Sequence, residues 1–185
     1  MTRRFVLLDR DGTINEEIGY VLRPEELRLI PGTLEALREL RDLGLGLVVV
    51  TNQSPIGRGM LSEEGLQVIH DRLRELLAEG GVSIDDIEYC PHVPDAGCAC
   101  RKPGTAMVER AARKHGFDPA QAWVVGDHVG DARLGRAVGA RTILVLTGHG
   151  EEEREAAGSL ADHVVGDLRE AAGVIRVEML AGVGP

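Results

Sequence analysis

Phe5-Val6-Leu7-Leu8-Asp9-Arg10-Asp11-Gly12-Thr13 is a short apolar run that ends in two carboxylates and a glycine. The run has the length of a buried strand, and Gly12 permits a tight turn after it. Two carboxylates that are two residues apart can face the same side where a strand ends. One could then attack phosphorus while the other handles the proton of the leaving group. A strand that ends in a solvated acidic turn would explain the same residues without any chemistry.

Apolar runs of strand length alternate with segments of helical spacing along the whole chain. Further strands are predicted at residues 47–50, 84–89, 123–125, 142–146 and 163–165, and helices around residues 34–40, 66–77, 107–112 and 168–180. Nearly continuous apolar strands that alternate with helices are typical of a parallel sheet covered on both faces. We therefore predict an α/β fold that forms a single domain over residues 1–185.

Composition and charge limit the possible partners. The 185 residues include 30 acidic and 21 basic side chains, so the formal charge is −9. Proteins that bind nucleic acids need a positive potential over the phosphates, so this balance argues against that class. The apolar run at residues 5–8 is too short for a signal peptide, and no later run could span a membrane. We expect a cytosolic protein without a membrane or nucleic-acid partner.

Three further polar motifs follow predicted strands, where the ligands of an open α/β sheet bind. Thr51-Asn52-Gln53-Ser54 offers short hydrogen-bond donors, and Arg101-Lys102-Pro103 offers two cations that could neutralise a phosphoryl group. Gly126-Asp127-His128-Val129-Gly130-Asp131 adds carboxylates that could complete an oxygen-rich Mg²⁺ site with those of the first strand. Each motif alone is compatible with an ordinary loop, but their order and placement together predict one active site.

All three cysteines of the chain lie in one loop together with a histidine. Cys90, His92, Cys98 and Cys100 form two close pairs. Three thiolates and an imidazole suit tetrahedral Zn²⁺, and four protein ligands leave no open position for catalysis. We therefore predict a structural zinc site. Buried cysteines without a metal, or a redox site, are the alternatives.

The four motifs together resemble those of the haloacid dehalogenase (HAD) superfamily of phosphohydrolases over roughly residues 5–150. The resemblance implies a Rossmann-like fold and a Mg²⁺-dependent reaction in which Asp9 is phosphorylated. Asp11 would protonate the leaving oxygen and then activate water, and its backbone carbonyl would join Asp9 and Asp127 as a Mg²⁺ ligand. No helical cap domain is visible between Asp11 and Thr51, which suggests a small substrate and access controlled by loops.

Three further residues receive functions from the same resemblance. Thr51 would hydrogen-bond the phosphoryl group, and Lys102 would stabilise its charge and orient the nucleophile. Asp131 would be a supporting carboxylate. Phosphoryl transfer depends mainly on positioning and on cations that offset the charge of the oxygens, so this assignment is physically sensible.

Within the superfamily, the sequences CPH…CACRKP, GYV and VVVTNQS…GRG resemble the D-glycero-D-manno-heptose 1,7-bisphosphate 7-phosphatases. Those enzymes act in nucleotide-activated heptose biosynthesis. The resemblance implies substrate contacts from Glu17, Gly19, Tyr20, Thr51, Asn52, Gln53, Ser54, Arg101, Lys102 and His128. Arg101 is the expected receptor for the second phosphate of a bisphosphate.

Three other hypotheses remain open from the sequence. The short cysteine loop and the DRDGT motif are also similar to histidinol-phosphate phosphatases, and Val93 stands where the heptose enzymes usually have a second loop histidine. A phosphotransferase of the same superfamily is a second possibility. A non-catalytic zinc-binding module is a third, although it would not need Asp9 and Asp11. We expect the protein to be a monomer.

Overall fold

A computed structural model describes residues 3–182, in which six strands form one sheet. The strands are β1 (Phe5–Leu8), β2 (Gly46–Asn52), β3 (Asp86–Cys90), β4 (Trp123–Gly126), β5 (Arg141–Val145) and β6 (His163–Val165). The helices are α1 (Thr33–Asp42), α2 (Ser54–Gly57), α3 (Glu63–Glu79), α4 (Ala106–His115), α5 (Val129–Val138), α6 (Gly150–Gly158) and α7 (Leu168–Leu180). Short 3₁₀ turns occur at Pro24–Glu26, Pro94–Ala96 and Pro119–Gln121.

Both faces of the sheet are buried, as the apolar strands predict. Val6 and Leu8 of β1 lie in one core, which includes residues of α1, α3 and α7. Phe5 and Leu7 point to the opposite face and join a second core, which includes residues of α4 and α5. Because successive side chains of a strand alternate between faces, a strand that is apolar throughout needs helices on both sides.

All strand pairings are parallel, and the order across the sheet is β3-β2-β1-β4-β5-β6. The chain runs outward from β1 to β3 and then returns to place β4 on the other side of β1. The direction of winding therefore reverses between β1 and β4, which leaves a crevice at their carboxyl ends. Asp9 directly follows β1 and Asp127 directly follows β4, so both acids lie at this crevice.

The predicted α/β fold is confirmed, and strand limits differ by at most two residues from the expected ones. Three helices, α2, α5 and α6, were not predicted. In α5 the glycines Gly130 and Gly135 weaken the helical pattern, and α6 is largely exposed, so its apolar spacing is poor. No separate cap domain is present in residues 3–182, and no helix in that range has the length and apolar content of a membrane span.

Candidate active site

A cleft of about 340 Å³ opens at the carboxyl ends of the strands. Every residue predicted to act in catalysis, Mg²⁺ binding or substrate binding lines this cleft. They are Asp9, Asp11, Glu17, Gly19, Tyr20, Thr51, Asn52, Gln53, Ser54, Arg101, Lys102, Asp127, His128 and Asp131. Four segments that are distant in sequence are thus brought together by the topology of the sheet.

Lys102 is the central cation of the cleft. Its buried ammonium group lies 2.8 Å from Asp9 Oδ1 and 2.7 Å from Asp131 Oδ1, and it donates a 2.8 Å hydrogen bond to the Val50 carbonyl. Burial alone would lower the pKa of Lys102, but the charges of Asp131 and Asp9 outweigh burial and raise it. The lysine therefore stays charged and fixes one oxygen of Asp9.

Asp9, Asp127 and Asp131 place carboxylate oxygens within 4.8 Å of one another. Burial raises the pKa of Asp9 to about 6, although Lys102 opposes the shift, and Asp131 adds to it. Burial, then repulsion from Asp9 and Asp131, raises the pKa of Asp127 to about 8. A bound divalent cation would offset the repulsion between these buried carboxylates, and carboxylate oxygens are the ligands that a hard cation prefers.

A close approach of three loops holds Asp127 in place. The backbone N–H of His149 donates a 2.8 Å hydrogen bond to Asp127 Oδ2, and the Thr147 hydroxyl donates one of 2.6 Å to the Gly12 carbonyl. Gly12 has a φ of 79°, and a Cβ there would collide with the Asp127 carboxylate. Only glycine satisfies both requirements at position 12.

The Asp11 carboxylate accepts five hydrogen bonds from three side chains. Arg10 donates from Nε at 3.1 Å and from Nη2 at 2.9 Å to Oδ1, and from Nη2 at 2.8 Å to Oδ2. Asn15 donates to Oδ1 at 2.9 Å, and Gln53 donates to Oδ2 at 3.0 Å. Burial raises the pKa of Asp11, but the charge of Arg10 and these hydrogen bonds outweigh burial and lower it.

Several residues predicted to contact substrate use their side chains within the protein. The Asn52 side chain accepts a 3.0 Å hydrogen bond from the Lys102 backbone N–H, and Gln53 Nε2 donates to the Thr51 hydroxyl oxygen at 2.9 Å. His128 is the N-cap residue just before α5, and its Nδ1 accepts a hydrogen bond from the Gly130 N–H. Thr51 still has its own hydroxyl proton to donate towards the cleft.

Three charged or titratable residues of the cleft were not predicted: Arg10, Arg58 and His149. Arg10 sits inside the DRDGT motif, where only the two acids suggested chemistry. His149 lies in a glycine-rich loop after β5, and its spacing from other histidines, cysteines and acids is not that of metal ligands. The cleft now contains five carboxylates (Asp9, Asp11, Glu17, Asp127 and Asp131) and four permanent cations (Arg10, Arg58, Arg101 and Lys102). Its formal charge is therefore 4 − 5 = −1, which a divalent cation would make positive.

The cysteine loop brings its four candidate ligands together. Cys100 Sγ lies 3.1 Å from Cys90 Sγ and 3.6 Å from Cys98 Sγ, and His92 Nδ1 lies 3.2 Å from Cys100 Sγ. All four ligand atoms fall within 4.8 Å of one another. Zn–S bonds of ~2.3 Å in a tetrahedron separate the sulfur atoms by ~3.8 Å, so the cluster has suitable dimensions for zinc.

Comparisons with known proteins identify relatives of this chain. The HAD-hydrolase-like family matches residues 99–171. A Pseudomonas aeruginosa D-glycero-beta-D-manno-heptose-1,7-bisphosphate 7-phosphatase is 43% identical over 151 residues, which cover 81% of this chain and 85% of that protein. The D-glycero-alpha-D-manno-heptose-1,7-bisphosphate 7-phosphatase of Photorhabdus laumondii is 39% identical over 158 residues, which cover 81% of this chain and 86% of that protein.

A solved structure is similar over nearly the full length. The D,D-heptose 1,7-bisphosphate phosphatase from B. bronchiseptica, complexed with magnesium and phosphate, superposes with a TM-score of 0.87. It is 36% identical, and the match covers 96% of this chain and 99% of that one.

Proposed function

Since the chain belongs to the D-glycero-D-manno-heptose-1,7-bisphosphate 7-phosphatase family of HAD-type phosphatases, we propose that it removes the 7-phosphate of D-glycero-D-manno-heptose 1,7-bisphosphate. The reaction would serve nucleotide-activated heptose biosynthesis. The observation that carries the proposed chemistry is the contact of the Lys102 ammonium with Asp9, beside the Asp127 carboxylate in the cleft.

In the first half of the reaction, a carboxylate oxygen of Asp9 attacks phosphorus, and the bond between phosphorus and the sugar oxygen breaks. The negative charge of the bound phosphate raises the pKa of Asp11, against the lowering by Arg10, and so favours the protonated acid. Protonated Asp11 then gives its proton to the departing oxygen, which leaves as an alcohol. Thr51 donates a hydrogen bond to the phosphoryl group, and Lys102 offsets its negative charge. Asp9 then carries the phosphoryl group.

In the second half, the Asp11 carboxylate takes a proton from water as the water oxygen attacks phosphorus. The bond between phosphorus and the Asp9 oxygen breaks, phosphate leaves, and Asp11 is protonated again. Asp131 and the Val50 carbonyl keep the Lys102 ammonium in place through both steps. The protein therefore uses one carboxylate as nucleophile and the other as proton carrier.

We propose that Asp9, Asp127 and the Asp11 backbone carbonyl hold a catalytic Mg²⁺. The clustered carboxylates with raised pKa values fit a hard divalent cation, and a magnesium-bound relative has the same fold. When bound, the ion supplies positive charge that offsets the phosphoryl oxygens and orients them for in-line attack.

Ionisation of Asp127 should cost the Mg²⁺-free protein stability as the pH rises from 7 to 9. The pKa of Asp127 is about 8 in the folded state and near 3.8 when unfolded, so its stabilising contribution is present below pH 3.8 and is lost through pH 8. The expected loss is about 1 kcal/mol of unfolding free energy. His70, with a pKa lowered to about 3, is neutral in both states over this range.

Urea unfolding in Mg²⁺-free buffer at both pH values measures this loss, and saturating Mg²⁺ should remove it because the ion binds the ionised carboxylates. Asp127→Asn, which cannot titrate, should lack this loss, so the difference between the two proteins isolates Asp127 from Cys98, whose pKa, lowered to about 6, has the opposite effect on stability over this range. An equal change in unfolding free energy in the wild type and in Asp127→Asn between pH 7 and 9 would contradict this assignment.

Two arginines at the mouth of the cleft are suited to the second phosphate. Arg101 donates from Nη1 to the His92 carbonyl at 3.3 Å, which orients it beside the cysteine loop, and Arg58 is exposed on the opposite loop. Both line the cleft, and neither belongs to an ion pair among residues 3–182. A guanidinium can grip a phosphate through two parallel hydrogen bonds.

Arg101→Ala should raise KM for the 1,7-bisphosphate by about tenfold or more, the cost of one hydrogen bond to a charged group. KM for heptose 7-phosphate should change little because that substrate lacks the second phosphate. Arg113→Ala, an exposed arginine of α4, is the matched control. An equal change in KM for both substrates would show that Arg101 does not bind the second phosphate.

Substrate choice is tested by steady-state comparison of both anomers of the heptose 1,7-bisphosphate with histidinol phosphate and common sugar phosphates. We expect the highest kcat/KM for one of the heptose bisphosphates. A higher value for histidinol phosphate would reject the proposed substrate and leave the chemistry of Asp9 intact. The relatives act on either anomer by name, so both anomers belong in the comparison.

We also propose that Cys90, His92, Cys98 and Cys100 hold a structural Zn²⁺. Burial, then the hydrogen bond with Cys100, raises the pKa of Cys90 to about 12. Burial also raises the pKa of Cys98, but hydrogen bonds from the backbone and from the other thiols outweigh it and lower this pKa to about 6. Cys90 therefore needs a cation before all three thiols can be ionised together. Arg101 and Lys102 directly follow the last ligand. Zinc would thus fix an irregular loop that carries two cations of the cleft.

The purified protein should contain about one zinc ion per chain by elemental analysis, as a four-ligand site requires. Cys98→Ser and Cys100→Ser should each lose the metal and lower the melting temperature. Asp95→Asn, an exposed change within the same loop, should retain both. Metal-free wild-type protein with three titratable thiols would exclude the site.

We propose that residues 1–185 form one catalytic domain that acts as a monomer. A reducing compartment such as the cytoplasm would keep three thiols available for zinc rather than for disulfides. A small phosphorylated metabolite is the partner that the cleft fits.

A further inference from the structure

Asp11 must keep one orientation through two proton transfers, and the structure provides an unusually complete set of contacts for that purpose. The Arg10 guanidinium spans both oxygens of the carboxylate from the adjacent position in the chain. Arg10 is only 1% exposed, although arginine is rarely buried to this degree. Burying the guanidinium charge costs desolvation free energy, which an ion pair on the protein surface would avoid.

Gln53 links this ion pair to the residue that faces the phosphoryl group. Its Oε1 accepts a 3.3 Å hydrogen bond from Arg10 Nη2, and its Nε2 donates to both Asp11 Oδ2 and the Thr51 hydroxyl oxygen. Gln53 is 2% exposed, so its amide is committed to these contacts. The orientation of Asp11 is therefore tied to that of Thr51.

Arg10 directs its charge to Asp11 alone. In the part of the chain that the structure describes, Asp11 is the carboxylate that forms an ion pair with Arg10. Two buried nitrogen atoms, Arg10 Nη1 and His70 Nε2, have no hydrogen-bond partner in the described part of the protein. Burial, then the charge of Arg10, lowers the pKa of His70 to about 3, so that imidazole is neutral and does not compete for the carboxylate.

We propose that Arg10 and Gln53 are positioning residues that hold the Asp11 carboxylate in the orientation from which it exchanges protons with the leaving group and with water. Neither residue needs to touch the reacting atoms. Lysine could not replace Arg10, because a single ammonium cannot span both carboxylate oxygens as a planar guanidinium does. This inference rests on the proposed function of Asp9 and Asp11.

The test separates the two halves of the reaction by the choice of leaving group. 4-Nitrophenyl phosphate releases a stable anion and needs no proton to leave, whereas a sugar phosphate releases an alkoxide and does. In Arg10→Lys and in Gln53→Leu, nitrophenyl phosphate should still phosphorylate Asp9, but hydrolysis of the phosphoenzyme should be slow. We expect a burst of about one nitrophenol per active site, then turnover reduced by on the order of 10- to 100-fold.

The sugar phosphate should lose at least as much turnover in both variants but without a burst, because its first step also needs the proton. Arg41→Met is the matched control: it removes a 2.7 Å ion pair with Asp85, which precedes β3 at the amino ends of the strands. This control should turn over both substrates like the wild type. Circular dichroism and melting temperature establish that each variant is folded. If Arg10→Lys is too unstable to assay, Gln53→Leu still tests the proposal, because it leaves Arg10 in place.

Two outcomes would overturn the proposal: turnover unchanged in both variants, or an equal loss for both substrates without a burst in folded protein. Failure of the proposed function is separate, since it would appear as a wild-type protein without Mg²⁺-dependent phosphate release. An active wild type with unaffected variants would reject only the positioning by Arg10 and Gln53.

Discussion

Asp9→Asn should abolish turnover and leave a folded protein. An amide oxygen is too weak a nucleophile to attack phosphorus, and no phosphoenzyme can form without the carboxylate. The expected fall in kcat is on the order of 10⁴-fold or more, similar to the loss of a nucleophile in other covalent enzymes. The fold should survive, because the substitution removes a charge from a buried cluster whose pKa values are already raised.

Acid quenching with radiolabelled substrate measures the covalent intermediate directly. The wild type should retain label on the protein, the label should be released by hydroxylamine as expected of an acyl phosphate, and Asp9→Asn should retain none. Asp71→Asn, an exposed carboxylate of α3, is the control for a neutralised acid outside the cleft. Labelled protein or Mg²⁺-dependent hydrolysis in Asp9→Asn would show that another residue is the nucleophile.

The sequence was sufficient to predict the sheet and the convergence of its motifs. Apolar strands are buried on both faces, so their positions depend mainly on local composition. The site followed because the carboxyl ends of parallel strands meet at one edge, where Asp9, Thr51 and Asp127 lie at or just after strand ends. Lys102 lies further from its strand and follows the cysteine loop. Family resemblance supplied their expected functions, which stay predictions until the variants are measured.

Contacts between side chains could not be predicted in the same way. The family resemblance implied a substrate contact for Gln53, which stays a prediction, whereas the hydrogen bonds of its amide to Asp11 and Thr51 follow from no spacing rule. Arg10 received no function from the sequence, and its burial became visible only in the fold. The helices α5 and α6 were missed because glycine and exposed glutamate hide their periodicity, while tertiary packing and capping determine them.

Lys102→Met should reduce both catalysis and stability, because one ammonium group serves three acceptors. Its removal leaves Asp9, Asp131 and the Val50 carbonyl without a cation in a buried site. We expect kcat to fall by on the order of 10³-fold, as when one preorganised cation or donor is removed from a phosphoryl-transfer site. Loss of one partner of a buried pair should also cost roughly 3–5 kcal/mol of unfolding free energy.

The pH dependence distinguishes this mechanism from simple destabilisation. In the metal-free wild type, Lys102 opposes the effect of burial on Asp9, whose pKa is about 6, so the nucleophile is mostly ionised at neutral pH, and a bound Mg²⁺ would lower this pKa further. Without the lysine the pKa of Asp9 must rise, and the acidic limb of kcat/KM should move to higher pH in Lys102→Met. Lys114→Met, which removes an exposed lysine paired with Asp86 at 3.0 Å, should leave the profile unchanged. An unshifted acidic limb in folded Lys102→Met protein would show that the charge of Lys102 does not control the ionisation of the nucleophile.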